Sequence, residues 1–309
     1  MKWLLPVLSI FSLLFFSGCS HLFYQPSRGH FYSPKQLKIQ YEDVEFETND
    51  HVRLHGWYLP AQPTPGIPYK GVFVQFHGNA ENISTHFISL AWVTLAGYDL
   101  FTFDYRGYGE SQGSPSQAGL NEDALAAIQY VDKYVNQKFE RKADRNIKNI
   151  KTSRPSSHPK PHIVLYGQSL GGAVLLRALT DLKERALPIR AVVIDSSFYS
   201  YQAVARAKLA QSFLTYLFQP LTYLLVSDAF SPEKAIEKVS PIPLLVIHGV
   251  KDQVVPIKMG EHIFELAKEP KTFWRIPDGH HIDSMVRHRG IYRDKLIDFL
   301  DKLEDDSTL

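Results

Sequence analysis

The chain has 309 residues, 44% of them hydrophobic, enough to bury one large core. Its 34 basic and 32 acidic residues leave a formal net charge of +2, a field that gives no argument for nucleic acid or another polyanionic partner. The single cysteine, Cys19, excludes an intrachain disulfide and a thiolate metal cluster. No H-E-x-x-H or comparable ligand spacing appears, so no metal and no cofactor is expected.

At the N-terminus, Lys2 supplies a positive charge. Residues 3–16 then form an apolar run broken only by Pro6, Ser9 and Ser12, and the small residues Ser17 and Gly18 precede Cys19. This is the layout of a signal peptide, and the run is shorter than the roughly 18 to 20 residues a helix needs to cross a bilayer. Phe16-Ser17-Gly18-Cys19 resembles a bacterial lipobox. The resemblance implies a cleaved signal over 1–18, a diacylglycerol on the Cys19 sulfur, an anchor and linker over 19–36, and a membrane as partner. Ser20, where an aspartate would favour the inner membrane, resembles outer-membrane sorting. The alternative is a plain secretory signal or short anchor with an incidental cysteine.

From residue 37 onward, short runs rich in Val, Ile, Phe and Tyr alternate with longer amphipathic stretches, which predicts a mostly parallel sheet flanked by helices. Residues 37–47 and 52–59 read as an antiparallel hairpin turning at Asn49-Asp50. Residues 71–76, 100–103, 162–166, 191–194, 243–247 and 272–276 read as buried central strands, because they are short, apolar and bounded by turn residues. Two segments break the rhythm. Residues 138–161 carry Arg141, Lys142, Arg145, Lys148, Lys151 and Arg154 and read as an exposed basic loop, with contact to anionic lipid as its sharper reading. Residues 198–241 are too long for a simple crossover and crowded with aromatic and aliphatic side chains, which predicts a helical cap inserted over the strand ends.

The chemistry centres on Gly167-Gln168-Ser169-Leu170-Gly171, which follows the strand 162–166 and opens a helix predicted over 173–182. On such a strand-turn-helix the serine hydroxyl stands above the C-terminal edge of the sheet. A serine hydroxyl is a weak nucleophile at neutral pH, so it needs a base, and the base needs an orienting acid; in this setting they follow in the order acid, then histidine. Asp252 follows the strand 243–247, although Asp195 also ends a strand and is a second candidate. His280 and His281 follow the last strand, and spacing does not choose between them. His77, His86 and His248 are read as structural or positional. A developing oxyanion would be met by the backbone N–H of Leu170 and by one from His77-Gly78-Asn79, most directly that of Asn79.

His77-Gly78-Asn79-Ala80-Glu81-Asn82, Asp104-Tyr105-Arg106-Gly107-Tyr108-Gly109-Glu110-Ser111, Gly167-Gln168-Ser169-Leu170-Gly171-Gly172, His248-Gly249 with Asp252, and Pro277-Asp278-Gly279-His280-His281 resemble, in this order, the motifs of serine-aminopeptidase-like α/β hydrolases, including membrane-anchored bacterial members. The resemblance covers nearly all of the chain after the signal and implies one α/β-hydrolase domain over 37–303. It implies Ser169 as nucleophile, Asp252 as acid and His281 as base, with 104–111 structural. The expected function is a serine hydrolase acting on esters or thioesters with apolar acyl groups. A serine peptidase is the alternative within the enzymes, and a non-catalytic envelope binding lipoprotein the alternative outside them. Oligomeric state is not readable from the sequence.

Overall fold

A computed structural model describes residues 23–149, 162–182 and 187–306. Its strands are β1 (Glu42–Glu47), β2 (Arg53–Leu59), β3 (Gly71–Phe76), β4 (Tyr98–Phe103), β5 (His162–Gln168), β6 (Ile189–Asp195), β7 (Leu244–Gly249) and β8 (Lys271–Ile276). They form one sheet in the order β8-β7-β6-β5-β3-β4-β2-β1. β2 is antiparallel to both its neighbours, and every other pair is parallel. The longer helices are α1 (Gln117–Asn149), α2 (Leu170–Ala178), α3 (Tyr201–Ala210), α4 (Ile257–Leu266) and α5 (Ile291–Asp306).

The central runs are continuous rather than alternating because both faces of the sheet are covered. Every residue of β3, β4 and β7 is buried. Val74, Leu165, Ile194 and Val246 point to one face, where Ile128 of α1, Leu175 of α2 and Ile263 of α4 meet them. Phe73, Val164, Val193 and Ile247 point to the other, against Phe87, Leu90 and Leu296 and Leu300 of α5. Each such side chain removed from water contributes about 1.5 to 3 kcal/mol, so the two layers fix the sheet before any polar contact is counted.

The hairpin forms at Asn49-Asp50 as expected, with Thr48 and Val52 bonded across it. Its first strand starts later than predicted, at Glu42, because Pro34–Leu37 is a 3₁₀ turn that ends with Lys38 at a left-handed φ of 59°. The predicted basic loop is helical over its first part: α1 continues to Asn149. Residues 138–149 contain neither glycine nor proline, so nothing in the backbone chemistry stops the helix there. Residues 150–161 lie outside the described part, as do Cys19 and the whole of 1–22. α2 begins at Leu170, three residues ahead of the prediction, directly on the turn that carries Ser169. No helix among the described residues is long and apolar enough to cross a membrane.

Candidate active site

The parallel register brings the C-terminal ends of five strands to one edge. Phe76 of β3 lies opposite Gly167 of β5, Gln168 opposite Asp195 of β6, and Gly249 of β7 opposite Ile276 of β8. The loops that follow carry Gly78, Ser169, Ser196, Asp252 and His281. Ser169 sits at φ 52° and ψ −117°, a conformation that costs an L-residue on the order of 1–3 kcal/mol and is held by its surroundings. Its N–H donates to the Asp195 carbonyl at 2.9 Å, and its carbonyl accepts from Ser197 Oγ at 2.7 Å. Gly171 is required beneath it: a Cβ there would stand 2.1 Å from the Phe76 carbonyl oxygen.

Three side chains from separate loops meet at this edge. His281 Nε2 is 3.0 Å from Ser169 Oγ, and His281 Nδ1 is 2.8 Å from Asp252 Oδ2. The other Asp252 oxygen accepts the Val254 and Val255 N–H groups at 2.8 and 2.9 Å. A carboxylate below the ring assigns the hydrogen to Nδ1 and leaves Nε2 to accept from the serine. Burial by itself would raise the Asp252 carboxyl. The nearby His248 ring, the hydrogen bond with His281, the charge His281 can carry and the Val255 N–H outweigh it, so the group is held below the usual carboxylate range. The two loops are laced together by Val250 N–H to Ile276 O and Lys251 N–H to Gly279 O, both 2.9 Å. That lacing needs Gly249, whose Cβ would meet the Gly279 backbone at 2.5 Å.

The alternatives left open by spacing are separated in space. Asp195 accepts from Tyr166 Oη at 2.9 Å, Ser284 Oγ at 2.6 Å and Ser196 Oγ at 3.0 Å, so its carboxyl is used in the core beneath the site. His280 is exposed and its ring meets Arg287. His248, read from sequence as structural or positional, is buried with Nε2 donating to the Val255 carbonyl at 2.9 Å and lying 3.5 Å from Asp252 Oδ2. His77 is fully buried, bonded through Nδ1 to the Gly78 carbonyl and stacked on His86. Its Nε2 lies 3.6 Å from Asp104 Oδ1. Burial pushes the Asp104 carboxyl up to about 8. Ring nitrogens of His30 and His55 also come within 4.8 Å of an Asp104 oxygen, a grouping drawn from three distant segments that no sequence spacing announces. Asp104 is the one carboxylate in the grouping, and burial disfavours its charged form.

Residues 67–240 match the family model described as serine aminopeptidase, S33. The chain belongs to this family of α/β hydrolases. The uncharacterized protein YfhR of Escherichia coli K12 is 37% identical over 260 residues, covering 84% of this chain and 80% of its own. YfhR of Salmonella typhi is 35% identical over 309 residues, with coverage of 95% and 94%. The esterase Pf2001 of Pyrococcus furiosus aligns at a TM-score of 0.63 and 20% identity over 90% of this chain and 96% of that one, a likeness of fold.

In this S33 hydrolase chain, a cavity of about 810 Å³ opens at Ser169 and His281. Its far wall comes from the predicted cap, which consists of α3 followed by the short turns Phe213–Tyr216, Gln219–Leu221 and Thr222–Leu225. α3 starts on Ser200, whose Oγ accepts the Ala203 N–H and is itself tied to Asp228. The lining is mostly aliphatic and aromatic, with Phe198, Val204, Leu209, Phe218, Leu221 and Leu225 among it and Lys208 at its edge, and among the described residues it includes no aspartate or glutamate. The segment expected as a linker contributes as well: Phe23 lines the cavity, and Gln25–Pro26 pairs in parallel with Ala80–Glu81. Asn79 fixes this arrangement, its Nδ2 donating to the Phe23 carbonyl at 2.6 Å and its Oδ1 accepting from Tyr108 Oη at 2.9 Å.

Proposed function

We propose that this chain is a serine hydrolase that cleaves carboxylic esters or thioesters of apolar acyl groups through an acyl-enzyme. The observation that carries the reading is the relay from Ser169 Oγ through His281 to Asp252, at 3.0 and 2.8 Å. In the mechanism, Ser169 Oγ attacks the acyl carbon while His281 Nε2 takes its proton, and Asp252 holds the ring and stabilises the imidazolium. The tetrahedral oxyanion is met by the N–H groups of Leu170, the first residue of α2, and of Asn79, next to Gly78, where a Cβ would lie 3.8 Å from that of Ser169. Collapse expels the leaving group with the proton from His281. Water, deprotonated by the same imidazole, then releases the acid and restores Ser169.

The apolar lining supports an acyl chain as the group bound next to the serine. An aminopeptidase needs a carboxylate to hold the substrate ammonium, and the lining formed by the described residues offers Lys208 but no Asp or Glu, which favours the ester over that alternative. In the same reading Cys19, by its resemblance to a lipobox cysteine, carries the lipid that holds the enzyme at a membrane of the bacterial envelope, the outer one in preference to the inner.

Covalent labelling with a fluorophosphonate tests the mechanism. The parent should label, Ser169→Ala and His281→Ala should not, and His280→Ala should. A folded parent that does not label would return the chain to the binding-lipoprotein alternative. A panel of acyl esters against aminoacyl amides then tests the substrate class, with faster turnover of the amides refuting the ester reading.

A further inference from the structure

Between residues 213 and 225 the cap turns apolar side chains to the outside. Phe213, Leu214, Leu217 and Leu224 are 94, 81, 82 and 82% exposed, and Tyr216 and Tyr223 are more than half exposed. A lone exposed leucine is ordinary, whereas a contiguous apolar face of this kind marks a surface that something covers. The face is continuous with the cavity, since Phe218, Leu221 and Leu225 of the same turns line it.

Three features say what covers it. The N-terminal chain enters the described structure at Phe23, which lines the cavity and packs its ring 5.3 Å from that of Tyr201, the first residue of α3. Four residue steps of at most roughly 3.6 Å then keep Cys19, the residue that carries the lipid in the reading above, within about 15 Å of Phe23. Charge agrees with this placement. Between Phe198 and Asp228 the cations are Arg206 and Lys208, and the one acid, Asp228, is taken up by Ser200 Oγ and the Gln202 N–H at the start of α3, which leaves the sign that suits anionic headgroups. The shape agrees too, because three separate short turns cannot span a bilayer but can lie in its interface.

We propose that this face of the cap sits in the acyl layer of the leaflet that receives the N-terminus, with Arg206 and Lys208 at the headgroups. The cavity then opens onto lipid, and the ester it takes is a membrane lipid. The substrate half of this inference rests on the hydrolase reading above, whereas the docking half does not.

The test uses the full chain with Cys19→Ser and Ser169→Ala, so that labelling is confined to one introduced cysteine and no outcome depends on turnover. An environment-sensitive fluorophore is attached at Leu217→Cys or, as a control, at Lys238→Cys, which precedes β7 at the opposite end of the strands. Adding vesicles of phosphatidylethanolamine with phosphatidylglycerol should shift the emission at 217 to the blue and raise it several-fold, with no change at 238. No shift at 217 while the chain sediments with the vesicles would show attachment by the N-terminus alone and overturn the docking. A shift at 217 without vesicles that follows protein concentration would assign the face to a second copy and overturn it as well. Insertion of 217 in a protein whose Ser169 parent fails to label with fluorophosphonate would support the docking while removing the hydrolase reading.

Discussion

Replacing Asp252 by asparagine tests the relay most sharply, because the structure dictates which way the new amide must face. Asp252 Oδ1 accepts two backbone N–H groups, from Val254 and Val255, at 2.8 and 2.9 Å. Only the carbonyl oxygen of an asparagine can satisfy them, so its NH₂ is turned to His281 Nδ1, 2.8 Å away. Two donors cannot face each other. The imidazole is driven to carry its hydrogen on Nε2, which then points at Ser169 Oγ and can no longer take its proton. Loss of the productive tautomer, with loss of the negative charge under the imidazolium, is expected to lower kcat by about 10⁴, or about 5 kcal/mol of barrier. The assay is the initial rate on a p-nitrophenyl ester of a short fatty acid, normalised by active-site titration, with circular dichroism to establish that the variant is folded. A folded Asp252→Asn protein within about tenfold of the parent rate, equivalent to only about 1.4 kcal/mol, would refute the role given to this carboxylate. So would an equal loss in Asp195→Asn, whose partners are Tyr166, Ser284 and Ser196.

Three further outcomes follow from the same geometry. His280→Ala should keep the parent kcat within about twofold, an ordinary surface effect, while His281→Ala abolishes turnover; loss in both would show that the loop's shape rather than one ring was removed. Arg106 donates to the fully buried Asp123 at 2.9 Å through Nε and at 2.8 Å through its own N–H, so Arg106→Gln strands a buried carboxylate and should cost about 3–5 kcal/mol in denaturant unfolding. A cost below about 1 kcal/mol would mean that the pair is open to water. The Asp104 carboxyl titrates at about 8 in the fold against an ordinary 3.8, so the unfolded chain releases this proton first and stability falls as pH rises from about 4 to 8. Asp104→Asn, which keeps an acceptor for the Ile83 N–H, should therefore gain on the parent between pH 5 and pH 8, as read by denaturant midpoints. An unchanged difference between variant and parent across that range would place the Asp104 charge in the folded state.

How far the sequence could be read depended on whether a pattern has one physical outcome. An unbroken run such as 71–76 or 243–247 can be satisfied only by burial on both faces, and the central strands lie where those runs predict. The turn that carries Ser169 is equally constrained, since a strand, a serine between close-packed glycines and a helix leave the hydroxyl one exit. Adjacent residues on a loop have no such constraint. His280 and His281 differ in placement because the backbone turns at Ile282, at φ 48°, and Ile282 N–H bonds Ser196 Oγ at 3.2 Å, which sets His281 inward. Composition fails where two structures share it: a basic stretch without glycine or proline is equally solvated as loop or as helix, and α1 takes the helix.

The cap shows the same limit from the apolar side. A sequence rich in leucine and phenylalanine states that these side chains leave water, and leaves open whether they pack on the protein's own sheet or on something outside it. Here α3 is anchored by Ser200, Asp228 and Tyr201, while the turns after it keep only part of their surface against the cavity. The N-terminal segment, which reads as a plain tether, is joined to the same place through Phe23 and Asn79. Asn79 thus couples the end of the chain that leads to Cys19 with the loop proposed to hold the oxyanion. The connection does not rest on that side chain alone, since Gln25–Pro26 pairs with Ala80–Glu81 and Asn82 Nδ2 donates to the Ser27 and Gly29 carbonyls, so the N-terminal segment holds this loop at several points.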